Sequence, residues 1–428
     1  MWQTPGSKLM QPTLTWLDYS ERDRRRALDV IDLFRESGTV DELGIGAVRD
    51  SFSDLLFPGT STVQTRACYF LLLPWAFLRL ERLRVSSAAA PARARGEELW
   101  LNQYLLGGPD TEGVFGQLAG RALKRLPSAA YWGGLWTWGI RLFPGNSDAY
   151  LRSLDGFHRR LERYKAMEVD PEGRTEAPAN WHPHVPDPPK GFPDGASVAL
   201  RRQDAEYLCD RIQARCPDSV LAELVRRAEP ADLAVERPWD LAGGIALPPR
   251  LREQLHHARL FAVLMRGAAL LYNLMLAQAL GDAKSDLIRK YEAELADWMG
   301  HAGALEEEVA RWELPRLWQI VAESPWKVGP PTRVFVESWV GIVRKRGPAG
   351  ALEKDSAARR LIADRELRLK RGRARLHHRR HLELWGGASG ADWLDYRWKG
   401  TKRILQDIFD GLMRPGPTDG GGGVAQNA

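Results

Sequence analysis

Cysteine is scarce in this 428-residue chain: Cys68, Cys209 and Cys216 are the only three, and no two of them form a CxxC pair. An odd, scattered set excludes a disulfide framework and a cysteine-based structural zinc site. Strict alternation of apolar and polar residues is nearly missing, which argues against a sandwich or barrel. Long apolar runs are missing too. The longest, Ala67 to Leu78, is interrupted by Pro74 and falls well short of the roughly 20 residues a spanning helix needs. The first sixteen residues, MWQTPGSKLMQPTLTW, have no basic stretch followed by an apolar core. The expectation is a soluble, cytoplasmic protein with no membrane association.

Recognisable catalytic motifs are lacking as well. There is no GxSxG, no HExxH, no HxK signature and no phosphate loop with GK[ST]. The pairs His256-His257 and His377-His378 are adjacent, so their side chains diverge on a helix. His182 and His184 in WHPH have no carboxylate or cysteine at ligand spacing, so no metal and no cofactor is expected. Three carboxylates, Asp18, Asp395 and Asp407, could meet in the fold as a metal-dependent nuclease site. Nothing in their spacing requires it, so whether the chain is an enzyme stays open.

Seventeen tryptophans are present, an unusual load whose bulk and N–H groups call for buried positions with partners. Ala, Leu, Arg and Glu dominate, and apolar residues recur at helical spacing. The expected fold is therefore predominantly α, two helical modules packed as one compact body. The first module spans residues 13–167. It includes a helix opened by a Ser61/Gln64 capping box and running to about Arg84. A proline-rich linker or surface loop follows at 168–199, and the second module occupies 200–347. That module's clearest element starts after Pro248-Pro249 and runs to about Trp298. A basic C-terminal helical segment covers 348–412, and a disordered tail 413–428.

Charge is distributed unevenly. The chain is +6 overall, yet Arg344 to His381 alone holds 14 Lys/Arg against 4 Asp/Glu, leaving 47 against 51 for the rest. Concentrated charge of one sign points to an anionic partner. Within this stretch Ile362, Leu369 and Leu376 recur every seven residues, a narrow stripe on one helix face. Around it stand Arg359, Arg360, Arg365, Arg368, Lys370, Arg371, Arg373, Arg375, Arg379 and Arg380. One expectation is a helix docked by its stripe, with the basic side chains free for nucleic-acid phosphates. The other is a protein partner, or pairing within the chain, for which Asp364–Arg368 and Glu366–Lys370 are suitably spaced. Gly372 predicts a kink.

Arg252, Arg259, Arg266 and Asn273 also recur every seven residues, giving a polar seam on an otherwise apolar helix. They form either a track for an anion or for a neighbouring helix's carboxylates, or the water-facing edge of a core helix, the simpler assignment. Trp132 and Trp136 share a face in YWGGLWTWGIR, and with Arg141 they could stack bases, though burial is the usual fate of tryptophan. LWGGASG, Leu384 to Gly390, predicts a chain reversal.

The tetrapeptide WLDY occurs at Trp16–Tyr19 and at Trp393–Tyr396 without self-similarity over a longer unit, so it is not read as a duplication. Together with DELGIGAVRDSFSDLLFPGTSTVQTRACYFLLLPWAF, GAALLYNLML and LELWGGASGADWLDYRW, the first WLDY region resembles a bacterial family of unknown function from about Leu14 to Leu412. The resemblance implies no established activity and transfers no catalytic residue. It implies a loose association with genome-defence neighbourhoods. The function expected is a non-catalytic nucleic-acid- or partner-binding component of such an assembly. The alternatives are a metal-dependent nuclease, or another enzyme whose site forms only in the fold, and a scaffold whose basic segment meets an acidic protein.

Overall fold

A computed structural model describes residues 41–117, 123, 125–166, 177–281, 284–347 and 352–415. Seventeen α-helices, four short 3₁₀ turns and a single isolated bridge, Arg141 to Trp181, make up the regular structure of these residues. The first half contributes α1 Gly46–Leu56, α2 Tyr69–Arg82, α3 Ala90–Leu106, α4 Pro127–Thr137, α5 Ser147–Arg152 and α6 Leu154–Ala166. After the proline-rich stretch come α7 Arg202–Arg215, α8 Val220–Arg227, α9 Leu241–Gly244, α10 Pro249–Leu280, α11 Ser285–Gly303, α12 Glu306–Arg311 and α13 Leu314–Ala322. The chain closes with α14 Pro330–Arg346, α15 Ser356–Lys370, α16 Arg379–Glu383 and α17 Trp398–Leu412.

The axis of the fold is α10, 32 residues long and about 48 Å at 1.5 Å per residue. Pro249 at its first turn is pre-set for helical φ, and Gly281 at φ +77° ends it. This helix is long and apolar enough to cross a membrane, but 94% of its apolar window is buried inside the protein. The element expected to reach Trp298 unbroken is therefore two helices, α10 and α11, folded against each other across a short connection. Gly267 makes that contact close: a Cβ there would lie 2.3 Å from Trp298 Cζ2. The Trp298 indole donates to Val263 O at 2.7 Å, Trp339 donates to Leu264 O at 2.8 Å, and Tyr396 Oη donates to Ala258 O at 2.7 Å. Large aromatic side chains thus cover the middle of α10, each with its polar atom satisfied.

Sequence order and packing order differ. α1, from the first half of the chain, packs on α10, α13 and α8, and α17, from the end, lies along α7. Gly411 brings α17 so close that a Cβ would meet Ala205 Cβ at 2.8 Å. Asp407 of α17 is buried with Arg66, whose Nε donates to it at 3.0 Å, and accepts a further bond from Ala67 N at 2.8 Å. The described part of the proline-rich stretch is laid over α2 and α3. Trp181 is buried, Trp75 Nε1 donates to Pro186 O at 2.6 Å, and Tyr104 Oη accepts from Gly195 N at 2.8 Å.

Ser61 and Gln64 form one half of the expected capping box, Ser61 N donating to Gln64 Oε1 at 3.1 Å. They do so in a turn, and the helix starts only at Tyr69, because the chain first crosses Tyr131, whose Oη accepts from Thr65 N and Arg66 N. Of the tryptophans expected to share a face, Trp132 is buried and Trp136 is 42% exposed, while Trp138 is wholly buried. Arg141 is buried as well and donates to Trp132 O and Gly145 O, so its guanidinium serves this turn. The first WLDY, Asp18 and most of the expected tail lie outside the described residues.

Candidate anion-binding surface

The basic segment is a helix that doubles back, and one buried carboxylate sets its shape. Asp355 starts α15 by accepting from Ala358 N at 2.8 Å, with Arg346 held on its other oxygen at 2.6 Å. The helix stops at Lys370, where Arg371 takes φ +50° and Gly372 follows. The chain then returns alongside α15. Fully buried Glu366 collects the return, accepting from Arg375 N at 2.8 Å and Leu376 N at 3.0 Å. Tyr272 Oη donates to the same carboxylate at 2.5 Å, and Lys370 Nζ reaches it at 3.4 Å. At the far end Arg359 reaches Gln278 and Arg379 reaches Ala279 O, both at the end of α10. The continuous apolar stripe expected on one helix is accordingly broken: Ile362 is buried, Leu369 is 43% exposed, and Leu376 sits on the return.

The doubling-back sorts the expected binding residues into two groups. Arg365, Lys370 and Arg375 turn inward. Arg365, 5% exposed, donates to Leu43 O at 2.8 Å, Gly44 O at 3.1 Å, Pro331 O at 3.1 Å and Thr332 Oγ1 at 2.8 Å. Burial lowers its pKa, with Asp41 opposing. Lys370 pairs with buried Glu42, and Arg375 Nη1 donates to Glu42 at 2.6 Å and to Ser389 Oγ at 3.0 Å. Burial, followed by the Arg375 charge, pushes the Lys370 ammonium down to about 7. These three side chains clamp residues 42–44 to the body.

Arg368, Arg371, Arg373 and Arg380 turn outward. They are exposed, and their side chains make no hydrogen bond or ion pair among the described residues. Arg360, one face with Arg368 and Arg371 by helical spacing, is exposed and unpaired in the same sense. Arg379 holds Glu383 at 3.0 Å in an exposed pair that contributes little. Of the two expected i,i+4 pairs, Glu366–Lys370 is present and Asp364–Arg368 is not among the described ion pairs. Leu367 at 38% and Leu384 at 74% exposure, with Leu369, lie on the same segment.

The seam on α10 meets other helices. Arg259 faces Glu308 of α12 at 3.7 Å and Arg266 faces Glu294 of α11 at 3.8 Å, so carboxylates of neighbouring helices stand along part of it. Arg266 also stacks on Trp393, 4.2 Å from the ring centroid, and Arg237 lies 4.3 Å from the same ring. Asn273 is fully buried and exchanges bonds with Ser389: its Oδ1 accepts from Ser389 N and its Nδ2 donates to Ser389 O, both at 2.8 Å. It thereby fixes the LWGGASG reversal. Arg252 alone points to solvent without a side-chain partner among the described residues.

Of the three carboxylates expected to meet, Asp18 lies outside the described residues, and Asp395 and Asp407 each have partners of their own. Asp407 is engaged by Arg66, and Asp395 accepts from Arg397 N at 3.0 Å and Lys399 N at 3.3 Å, opening α17. His182 accepts from Arg211 Nη1 at 3.0 Å and contacts Tyr207 Oη at 3.3 Å. Among the described residues no group of three His, Cys, Asp or Glu side chains is placed to hold a metal ion. Sequence reasoning missed Glu42, Tyr272 and Ser389 as partners of the basic segment. Glu42 is more than 320 residues from Lys370 and Arg375, and no local spacing signals it.

Fold and surface define a class: an all-helical protein wound around one buried helix, with an open arginine-bearing hairpin on its flank. The chain belongs to a family of unknown function, DUF6361, whose profile matches residues 11–411. No curated protein and no solved structure matches it.

Proposed function

We propose that this protein is a non-catalytic, cytoplasmic binding component that uses the outward arginines of residues 360–380 to hold the phosphates of a nucleic acid. The observation that supports this is the unpaired state of Arg360, Arg368, Arg371, Arg373 and Arg380 on a hairpin whose other cations are already engaged. Guanidinium groups match phosphate oxygens in fork geometry and act without regard to base sequence. Membership of a bacterial genome-defence assembly, suggested by the sequence resemblance, is part of the same proposal.

Fluorescence anisotropy on a labelled oligonucleotide tests it. Four phosphate contacts give about a 100-fold loss of affinity between 50 and 200 mM salt. Arg368→Glu, Arg371→Glu, Arg373→Glu and Arg380→Glu together should abolish both the affinity and the salt slope. Equal binding by the reversed protein rejects the proposal. A second reading, an acidic protein partner, draws on exposed Leu367, Leu369 and Leu384, because apolar side chains gain nothing on a phosphate backbone but do at a protein interface. Under that reading the wild type shows no affinity for the oligonucleotide.

A further inference from the structure

We propose that Arg211 and Arg215, at the end of α7, form a second anion site with Gly139 and the WHPH turn, and that it takes a doubly charged phosphate: inorganic phosphate or a phosphate monoester. Tyr207, Arg211 and Arg215 are spaced four residues apart on α7 and share one face. That face meets the loop after α4 and the WHPH turn. Arg211 Nε donates to Trp138 O at 3.1 Å, and its Nη1 donates to His182 at 3.0 Å. These two bonds fix the direction of the guanidinium group. They leave its Nη2 without a hydrogen bond among the described residues.

Arg215 comes to the same place. A Cβ on Gly139 would lie 2.8 Å from Arg211 Nη2 and 3.0 Å from Arg215 Nε, so those two nitrogens stand no more than about 6 Å apart. The glycine, at φ +63°, leaves the space between them unfilled. Arg215 is exposed, and its side chain makes no hydrogen bond or ion pair among the described residues. Like charges one helical turn apart repel. Nearby helical arginines are offset by acids: Arg202 holds Glu206, and Arg226 and Arg227 share Glu223. Arg211 and Arg215 have no such carboxylate among the described residues.

The surrounding groups report the same imbalance. Burial, followed by the charges of Arg211 and His184, lowers the pKa of His182, and burial raises that of Tyr207 against the Arg211 charge. The charges acting on both are cationic. His184 is exposed, its ring centroid 5.5 Å from that of His182. Two guanidinium groups this close offer two positive charges and forked N–H donors to phosphate oxygens. A monoester phosphate approaches two negative charges at neutral pH, whereas a backbone phosphate carries one, so the dianion is the better match. None of these residues belongs to the basic hairpin. The proposal therefore goes beyond nucleic-acid binding and does not depend on it.

Isothermal titration calorimetry of the full chain tests it, with inorganic phosphate in one arm, dimethyl phosphate in a second and sodium chloride at matched ionic strength as the blank. The expected result is saturable binding of one inorganic phosphate per chain, with dimethyl phosphate about 10-fold weaker or more. Arg215→Glu, a change at an exposed position, should weaken inorganic phosphate by about 10- to 100-fold, as expected for loss of a charged hydrogen bond. Arg215→Gln serves if the reversal disturbs folding, which thermal unfolding reads. The hairpin variant Arg368→Glu/Arg371→Glu/Arg373→Glu/Arg380→Glu should bind inorganic phosphate like the wild type. No saturable heat below about 10 mM phosphate overturns the proposal. So does an Arg215 variant that binds as the wild type does, equal affinity for the diester, or loss of binding in the hairpin variant. Oligonucleotide binding is read separately, so the two proposals fail independently.

Discussion

Replacing Glu366 with alanine removes the group around which the basic hairpin turns. The side chain is fully buried and satisfies Tyr272 Oη, Lys370 Nζ and the N–H groups of Arg375 and Leu376. Lys370 would keep Glu42, and Tyr272 would keep Lys370, but the two N–H groups would have nothing. Each orphaned buried donor costs about 1–3 kcal/mol. The contributions overlap, so about 3–5 kcal/mol in total is expected. The loss should be local first, because residues 371–378 return to α15 largely through this carboxylate. Hydrogen exchange at Arg375 and Leu376 should accelerate by about 100-fold or more, at about 1.4 kcal/mol per decade, and urea unfolding should shift to lower concentration. Oligonucleotide binding should weaken too, since Arg371, Arg373 and Arg380 lose their fixed spacing. Glu366→Gln, which keeps an acceptor and the volume, should recover part of the stability. An alanine variant within about 1 kcal/mol of wild type, with unchanged exchange over 371–378, would refute the role assigned to this side chain.

The inward and outward cations should separate in stability. Arg365→Ala should cost about 2–4 kcal/mol in urea unfolding, because four acceptors lose their donor, whereas Arg371→Ala should stay within about 0.5 kcal/mol; equal effects would contradict the clamp. Glu98 is buried against Ser128, whose N–H and hydroxyl both donate to it at 2.8 Å, and burial pushes its carboxyl up to about 7. The folded state then retains a proton that the unfolded chain releases near 4.5. Stability falls as pH rises between those values, by at most about 3 kcal/mol. Relative to wild type, Glu98→Gln should gain stability at pH 8 and not at pH 4, and parallel thermal-unfolding curves across pH would dismiss the assignment. Gly267→Ala forces a Cβ into Trp298 and should cost about 1–3 kcal/mol by overpacking, read as a lowered urea midpoint; a neutral result would mean that α10 and α11 can part without penalty.

The helical class, the central apolar helix after Pro248-Pro249 and the concentration of positive charge were all legible in the sequence, because each depends on local spacing. So was Glu366–Lys370, one turn apart on a helix. Other features depend on residues distant in the chain. The late start of α2 follows from the Tyr131 hydroxyl, 66 residues from Thr65, whereas Gly281, which ends α10, is itself a local signal. Asn273 sat in a visible polar seam, but its partner Ser389 is 116 residues away. Arg365 and Arg371 are the same residue type in the same run, and periodicity gave no way to tell a clamp from an open group.

What the sequence determined by itself is composition and periodicity: helices, a basic run near the end, and too little cysteine for a stapled fold. Tertiary structure alone decided which guanidinium groups remain free. Helix formation depends on neighbours three or four residues away. The availability of a charge depends on whichever carboxylates and carbonyls the fold brings up, and Glu42, Leu43 and Gly44 arrive from the other end of the chain.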